Sequence, residues 1–248
     1  MLAKEEAEGK ITSFIKEYFA SAGKKKAIVG VSGGIDSALA AALAAKALGK
    51  ENVIGVFMRS SSTPKEDAED AYALARFLGI RLVRVDLENA LRGFGKLVRG
   101  KMEKANLSAR MRMAILYLLA ARHDGLVVGT GDKSELLLGY FTKYGDGAAD
   151  ILPLGGLYKT QVRELAASIG IPRRILQKPS SPALWKGQTA EAELGFTYAQ
   201  ADAVLMAIEK GEKRSVLERR FGKRLVSAVV SRVEKNNHKR LPPPICSV

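Results

Sequence analysis

The ten residues 31–40, VSGGIDSALA, stand between a short apolar run and an alanine-rich stretch. The apolar residues 26–31 predict a buried strand, and residues 37–48 predict a helix. Two adjacent glycines allow a tight turn between them, where backbone N–H groups and the positive end of the helix dipole favour an anion. We therefore interpret this stretch as a phosphate-binding turn at the carboxyl end of a strand.

Strands and helices alternate along the rest of the chain. Strands that are separated by helices form βαβ units, which have right-handed crossovers and a parallel sheet covered on both faces. The sequence predicts an α/β fold with a doubly wound, Rossmann-like parallel sheet and a helical C-terminal region, in a single domain over residues 1–248. The predicted elements are helix 11–19, strand 26–31, helix 37–48, strand 52–57, helix 65–78, strand 81–86, helix 107–122, strand 125–128, helix 158–169 and a helical chain from 197 to about 237.

The chain is strongly basic, with 40 Lys and Arg residues against 26 Asp and Glu and a formal net charge of +14. Such a charge attracts polyanions, either nucleic acid or nucleotide phosphates. The basic residues are spread over the whole chain, and no run alternates arginine with aromatic residues as base-stacking surfaces do. Nucleotide binding is therefore favoured over nucleic-acid binding.

Cysteine content and the N-terminal sequence limit the location and the chemistry. The only cysteine is Cys246, so one chain forms no disulfide and has no cysteine metal cluster. The start, MLAKEEAEGK, has no apolar segment behind a basic one, and we expect a cytoplasmic protein. A glutaminase domain is not expected, because no cysteine with an activating partner is visible.

The glycine turn lacks both common nucleotide signatures, since a Walker loop requires G-x-x-x-x-G-K-[ST] and a dinucleotide fingerprint requires G-x-G-x-x-G. Its order, Ser32-Gly33-Gly34-Ile35-Asp36-Ser37, resembles the SGGxDS loop of the adenine nucleotide alpha hydrolases. That resemblance implies cleavage of ATP between the α and β phosphates, with pyrophosphate held in the loop and Mg²⁺ on Asp36. The alternative is a plain strand-to-helix turn in which Asp36 caps the helix.

Residues 127–166, VVGTGDKSELLLGYFTKYGDGAADILPLGGLYKTQVRELA, resemble the central signature of ammonia-dependent NAD synthetases. Residues 108–120, SARMRMAILYLLA, residues 178–198, KPSSPALWKGQTAEAELGFTY, and the terminal HKR fit the same family. The resemblance implies ATP-dependent amidation of deamido-NAD to NAD with free ammonia, through an NAD-adenylate and with release of AMP and pyrophosphate. It also implies Mg²⁺ as cofactor and a homodimer.

The resemblance assigns roles to individual residues. Asp36 and Lys159 are the expected catalytic residues, and Asp36 and Glu135 the expected Mg²⁺ ligands. Phe141 is a candidate for stacking on the pyridine ring, with a core position as the alternative. The predicted ATP-binding residues are Gly30, Val31, Ser32, Gly33, Gly34, Ile35, Asp36, Ser37, Thr130, Lys159 and Ser181, and the predicted deamido-NAD-binding residues are Arg110, Lys143, Asp150, His238 and Lys239.

Some positions depart from the family pattern, and other functions stay open. Ala190 stands where the family usually has aspartate, which leaves that role missing or moved to Glu191, and Pro182-Ala183 replaces the usual Ala-Gly. The alternatives are another adenylating enzyme, such as the ATPase half of GMP synthetase or a tRNA-modifying enzyme, and a nucleotide sensor without turnover. The apolar positions Met111, Ile115, Leu118 and Leu119 would supply either a dimer face or core.

Overall fold

A computed structural model describes residues 4–185 and 187–246. Its centre is a parallel four-stranded sheet of order β3-β2-β1-β4. The strands are β1 (Lys26–Gly30), β2 (Val53–Arg59), β3 (Arg81–Asp86) and β4 (Gly125–Val128). The helices are α1 (Lys4–Ser21), α2 (Ile35–Leu48), α3 (Lys65–Leu78), α4 (Leu87–Leu91), α5 (Lys101–Arg122), α6 (Lys133–Leu138), α7 (Lys159–Ser168), α8 (Arg173–Leu176), α9 (Ala190–Leu194), α10 (Tyr198–Glu209), α11 (Arg214–Phe221) and α12 (Lys223–Lys235).

Strand β1 is buried on both faces, which explains its uninterrupted apolar sequence. Val29 packs with Leu39 of α2 on one face, and Ile28 packs with Leu119 of α5 on the other. The alanine-rich helix α2 is almost wholly buried, because small side chains let α1 and α7 approach it closely. The predicted doubly wound parallel sheet is confirmed.

The strand order locates the ligand edge of the sheet. From β1 the chain winds through β2 to β3, then returns by α4 and α5 and adds β4 on the other side of β1. The winding direction therefore reverses between β1 and β4, and open α/β sheets bind ligands at the carboxyl ends of such strands. The glycine turn follows β1 at this point.

The helical C-terminal region is confirmed, but its continuity is not. The predicted helical chain from residue 197 is divided into α10, α11 and α12 by Gly211 and Gly222, which have φ of 76° and 87°. A left-handed backbone ends a helix, and glycine adopts it without steric cost. These helices pack around a second apolar cluster with α6 and α9.

Several element boundaries also differ. Helix α5 begins at Lys101 rather than at residue 107, and the short helices α4, α6, α8 and α9 were not predicted. Helices of four to six residues have too few turns to show a period. In the described part of the chain, no helix is both long and apolar enough to cross a membrane.

Candidate active site

The glycine turn after β1 is closed by hydrogen bonds between its own residues. Ser37 Oγ donates to Gly34 O at 2.9 Å and accepts from Ser32 N at 3.1 Å, and the two serine Oγ atoms are 3.1 Å apart. Gly34 is the N-cap of α2 and gives it no side-chain cap. Asp36 therefore does not cap the helix, and the first N–H groups of α2 stay available to an anion.

Gly33 is the residue on which the turn depends. Its φ is +83°, and a Cβ atom at this position would lie 2.5 Å from the carbonyl oxygen of Asp67 in α3. Both the left-handed backbone and the close approach of α3 require glycine. The turn is thus packed against the first turn of α3.

Three carboxylates surround one ammonium group beside this turn. Lys159 Nζ lies 2.7 Å from Asp36 Oδ1, 2.9 Å from Asp132 Oδ2 and 2.8 Å from Glu135 Oε1. The side chains of Lys159 and Asp132 are completely buried. We call Asp36, Asp132 and Glu135 the carboxylate cluster. It lies where β1 and β4 end, as the sequence predicted for Asp36 and Glu135.

Helix α6 begins with a capping box that holds two members of this cluster. Asp132 Oδ1 accepts from Glu135 N at 2.8 Å, and Glu135 Oε2 accepts from Asp132 N at 3.4 Å. The other oxygen of each carboxylate is left to face Lys159. Asp132 therefore fixes Glu135 through the backbone and neutralises Lys159 at the same time.

A buried network holds Lys159 in position from its backbone. Lys159 N donates to Ser134 Oγ at 2.8 Å, and Ser134 Oγ donates to Asp202 Oδ1 at 2.5 Å. Asp202 Oδ2 accepts from Thr160 N at 2.9 Å. Helices α6, α7 and α10 are joined here at the start of α7, so the backbone of Lys159 is held in a fixed position.

Burial and charge change the pKa of Lys159, Asp132 and Glu135. Burial alone would lower the pKa of Lys159, but Asp36, Glu135 and Asp132 outweigh it and raise the pKa well above its usual range. Burial raises the pKa of Asp132 to about 6, against the attraction of Lys159. Burial, partly offset by Lys159, also raises the pKa of Glu135. The ammonium stays charged, and the carboxylates repel one another.

The donor set fits a divalent cation that arrives with its own ligands. Asp36 Oδ1 is buried and accepts no regular hydrogen bond beyond the ion pair with Lys159, and Glu135 Oε1 accepts from Lys159 at 2.8 Å. Hard carboxylate oxygens suit Mg²⁺, which is normally bound by one or two carboxylates together with phosphate oxygens and water. Among the described residues no three His, Cys, Asp or Glu side chains form a ready metal site. Two carboxylates completed by phosphate oxygens match this arrangement.

Most of the residues predicted for the dinucleotide lie together. Arg110 Nε donates to Lys143 O at 3.4 Å, and Lys143 Nζ donates to His238 O at 2.7 Å. Lys239 Nζ donates to Phe141 O at 3.0 Å and lies 5.5 Å from the centre of the Phe141 ring. We call this group, drawn from α5, the loop after α6 and the end of the chain, the basic cluster.

Asp150 and Ser181 are engaged elsewhere. Asp150 Oδ2 accepts from Val127 N of β4 at 2.7 Å, and Asp150 Oδ1 accepts from Tyr117 at 3.4 Å. Ser181 Oγ donates to Gln188 O at 2.6 Å within its own loop. Their ligand roles stay predictions. Thr130 lines a small cleft with Glu135, so it lies beside the carboxylate cluster as predicted.

Sequence reasoning missed two residues of this site. Asp132 had a detectable signal, because Asp-x-x-Glu before an apolar run is a capping-box signature. Tyr198 had none; its hydroxyl is buried without a hydrogen bond in the described chain, and its ring lies 5.1 Å from Lys159 Nζ. Burial raises the pKa of Tyr198, so it stays a neutral donor.

The departures from the family pattern have local consequences. Ala190 is buried at the start of α9, and Glu191 Oε1 accepts from Tyr198 N at 2.9 Å. Glu191 thus accepts from the first N–H of α10, the helix that carries Tyr198, while Thr197 is the N-cap of that helix. Ala183 has a φ of +48°, a left-handed conformation that glycine adopts more easily. Pro182-Ala183 therefore places strain in the loop.

Comparison with known proteins identifies the family to which the chain belongs. The NAD synthase family model matches residues 8–243. The chain belongs to the NAD synthase family. NH3-dependent NAD(+) synthetases from Methanosarcina mazei and Pyrobaculum aerophilum are both 47% identical to it, over 97% and 96% of this chain and 97% and 91% of theirs.

Two solved structures share the whole fold. An NMN synthetase from Francisella tularensis is 32% identical with a TM-score of 0.89, and the match covers 100% of both chains. An NH3-dependent NAD synthetase from Campylobacter jejuni, in complex with the nitrate ion, is 32% identical with a TM-score of 0.86 over 99% of this chain and 100% of that one. The resemblance to this family that the sequence indicated is confirmed.

Proposed function

We propose that this member of the NAD synthase family amidates deamido-NAD to NAD with free ammonia and ATP, through an NAD-adenylate, with release of AMP and pyrophosphate. The observation that supports it most is the position of Lys159. This lysine and the carboxylate cluster stand beside a glycine turn with free helix N–H groups, at the strand ends where such sheets bind nucleotides. Relatives named NH3-dependent NAD(+) synthetases share nearly its full length.

Asp36 and Glu135 are the residues that would hold Mg²⁺. Their oxygens face the ammonium group of Lys159 at 2.7 and 2.8 Å. A metal cation that is bound with phosphate would take the place of that ammonium group between the two carboxylates. Bound Mg²⁺ would neutralise the charge that develops on the departing pyrophosphate. Lys159 would then turn from the carboxylates to the phosphate oxygens, which need a cation in the same region.

The chain's own groups account for the remaining steps. The turn from Gly30 to Ser37 would hold the β and γ phosphates with N–H and hydroxyl donors. The nicotinate carboxylate attacks the α phosphorus, the bond from that phosphorus to pyrophosphate breaks, and the attacking oxygen then links the nicotinate carbonyl to AMP in a mixed anhydride. Ammonia attacks the carbonyl carbon, AMP leaves with the bridging oxygen, and the nitrogen loses one proton to the departing phosphate or to water. No protein nucleophile is needed, and positioning supplies much of the rate.

The basic cluster would recognise the second substrate. Arg110, Lys143 and Lys239 supply cations for a pyrophosphate and a carboxylate, His238 supplies an imidazole for hydrogen bonding, and Phe141 supplies a ring for the pyridine. We propose that Asp150 contacts deamido-NAD and that Ser181 contacts ATP only if their present hydrogen bonds open. These assignments are our predictions.

A mononucleotide substrate is the second candidate, because one of the similar structures is described as an NMN synthetase. Nicotinate mononucleotide offers the same carboxylate with one phosphate fewer. The curated relatives, which are 47% identical, favour the dinucleotide. Xanthosine monophosphate, tRNA and binding without turnover are not favoured by any of these relatives.

The test measures pyrophosphate release from MgATP and ammonium with deamido-NAD, nicotinate mononucleotide, xanthosine monophosphate or bulk tRNA. We expect turnover with deamido-NAD, yielding NAD and AMP, and loss of at least about a hundredfold in Asp36→Asn. Asp124→Asn is the control, because Asp124 pairs with Lys24 on the surface. If the enzyme prefers nicotinate mononucleotide, that compound replaces deamido-NAD as the proposed substrate. Turnover with xanthosine monophosphate or tRNA alone would refute the proposal.

Assembly and location also remain proposals. In α5, Leu118 is 58% exposed, whereas Leu119 is buried and Ile115 packs beside it against the sheet. Of the predicted dimer face, Leu118 is thus available and Leu119 is core. We propose a homodimer through α5, which sedimentation as a monomer at micromolar concentration would contradict. A cytoplasmic location and a single domain over residues 1–248 stay predictions.

A further inference from the structure

Lys178 contacts the glycine turn from outside it. Its Nζ donates to Gly33 O at 3.2 Å and to Asp67 Oδ1 at 2.6 Å, and it pairs with Asp70. Gly33 is the residue of the turn that packs against Asp67. One ammonium group therefore joins the turn to α3 at the place where they touch.

The charge of Lys178 is already neutralised by the protein. Asp67 and Asp70 both accept from it, and Arg174 Nε approaches Asp70 at 2.8 Å. Asp70 is only 2% exposed. A lysine held between two carboxylates has few donors left for a phosphate, so a direct ligand role is not what these contacts provide.

The contact with Gly33 O fixes the direction of a peptide group. In a trans peptide the C=O and the following N–H point in opposite directions. With Gly33 O turned to Lys178, the N–H of Gly34 points to the opposite side of the turn, where it donates to Ser32 Oγ at 3.2 Å. Ser32 lies on the exposed side of the turn. An anion that enters there would replace Ser32 Oγ as the acceptor of the Gly34 N–H, which already points to that side.

Lys178 is itself held firmly. Arg163 of α7 donates to Leu176 O at 3.3 Å and to Ser180 Oγ at 3.1 Å, on either side of Lys178. Helix α7 begins with Lys159, the lysine of the carboxylate cluster. The same helix therefore positions Lys159 directly and Lys178 through the loop that follows α8.

We propose that Lys178 is a positioning residue for phosphate: it holds the Gly33–Gly34 peptide so that the Gly34 N–H faces the pyrophosphate portion of ATP. This inference rests on the proposed function, because it takes the glycine turn as the phosphate site. It adds a residue outside the turn, from a different part of the chain, whose effect should be confined to phosphate affinity.

The test compares Lys178→Met with wild type and with Arg174→Met. Arg174 pairs with the same Asp70, but its described contacts do not include the turn. The substitution Arg174→Met therefore removes an ion pair to Asp70, as Lys178→Met does, and leaves the turn untouched. The readouts are the Kd of inorganic pyrophosphate with Mg²⁺ by calorimetry, the KM values of MgATP and deamido-NAD, kcat, and the melting temperature. Lys178→Arg, which keeps charge and donors, is the rescue variant.

We expect Lys178→Met to weaken pyrophosphate binding and raise the KM of MgATP about tenfold, since a charge-assisted hydrogen bond positions the donor. The KM of deamido-NAD should change less than about twofold by the same reasoning, and Lys178→Arg should recover most of the loss. Arg174→Met should match wild type in all ligand constants. Should Lys178→Met not fold, Lys178→Gln takes its place with the same expectations.

Two results would overturn the inference. One is wild-type phosphate affinity in Lys178→Met. The other is a parallel loss of both substrates that follows the melting temperature and recurs in Arg174→Met. Pyrophosphate binding by wild type is measured first, because its absence would refute the phosphate site itself. Binding by wild type with no effect of Lys178→Met would refute the positioning role alone.

Discussion

Replacement of Lys159 by methionine tests the electrostatics of the site. The substitution keeps the length of the buried chain and removes the ammonium that three carboxylates share. At an effective dielectric constant of about 20, two opposite charges about 4 Å apart attract by about 4 kcal/mol. Burial costs offset part of that attraction, and breaking a buried pair costs about 3 to 5 kcal/mol. We expect Lys159→Met to lose that much stability at pH 8 without metal.

The loss should depend on pH in one direction. Without Lys159, the carboxylates must take up protons to avoid uncompensated charge, and the pKa of Asp132 is already raised to about 6 in the wild type. Their pKa values rise further in the variant, so the folded state binds more protons than the unfolded state. Its stability should therefore fall relative to wild type as the pH rises from 5 to 8.

The assay is urea unfolding followed by circular dichroism, in EDTA and in Mg²⁺. Lys159→Met should recover part of its stability in Mg²⁺ and should bind Mn²⁺ more tightly than wild type without nucleotide, because the competing ammonium is gone. Lys133→Met is the control; Lys133 pairs with Glu209 at the surface and should change stability by less than about 1 kcal/mol. Wild-type stability at pH 8 and unchanged Mn²⁺ affinity in Lys159→Met would refute the reasoning.

Three further predictions concern the surroundings of the site. Ala183→Gly relieves a left-handed backbone, so we expect the free energy of unfolding to rise by about 1 kcal/mol and the melting temperature to rise with it. A lower melting temperature would show that the loop is unstrained. Ser134→Ala leaves Lys159 N and Asp202 without their shared partner and should cost about 1 to 3 kcal/mol in urea unfolding; a cost near zero would contradict the network. Burial raises the pKa of Asp146, so wild type should lose stability relative to Asp146→Asn as the pH rises above 4, and a constant difference from pH 4 to 8 would exclude this.

The helices and strands whose apolar residues form a clear pattern along the sequence were predictable. Strands 81–86 and 125–128 and helix 65–78 agree with β3, β4 and α3, because each has a sustained apolar pattern and a turn at its ends. Helix α6 was missed because its six residues are positioned by the capping box of Asp132 rather than by a period.

The site was only partly predictable, because sequence spacing does not show which distant side chains meet. Asp36 and Glu135 were expected to approach each other, since each follows one of two adjacent strand ends. The approach of Lys178 to Gly33 crosses 145 positions of sequence and depends on how the loop after α8 folds back onto α3. Tyr198 reaches the cluster only because α10 packs against α6 and α7.

The most direct test of the proposed chemistry follows the oxygen atoms of the substrate carboxylate. Deamido-NAD labelled with ¹⁸O in the nicotinate carboxylate is incubated with the protein, MgATP and ammonium, and the products are analysed by mass spectrometry. Attack of that carboxylate on the α phosphorus predicts one ¹⁸O atom in AMP and one retained in the amide of NAD. Label in pyrophosphate or inorganic phosphate, with none in AMP, would contradict adenylation.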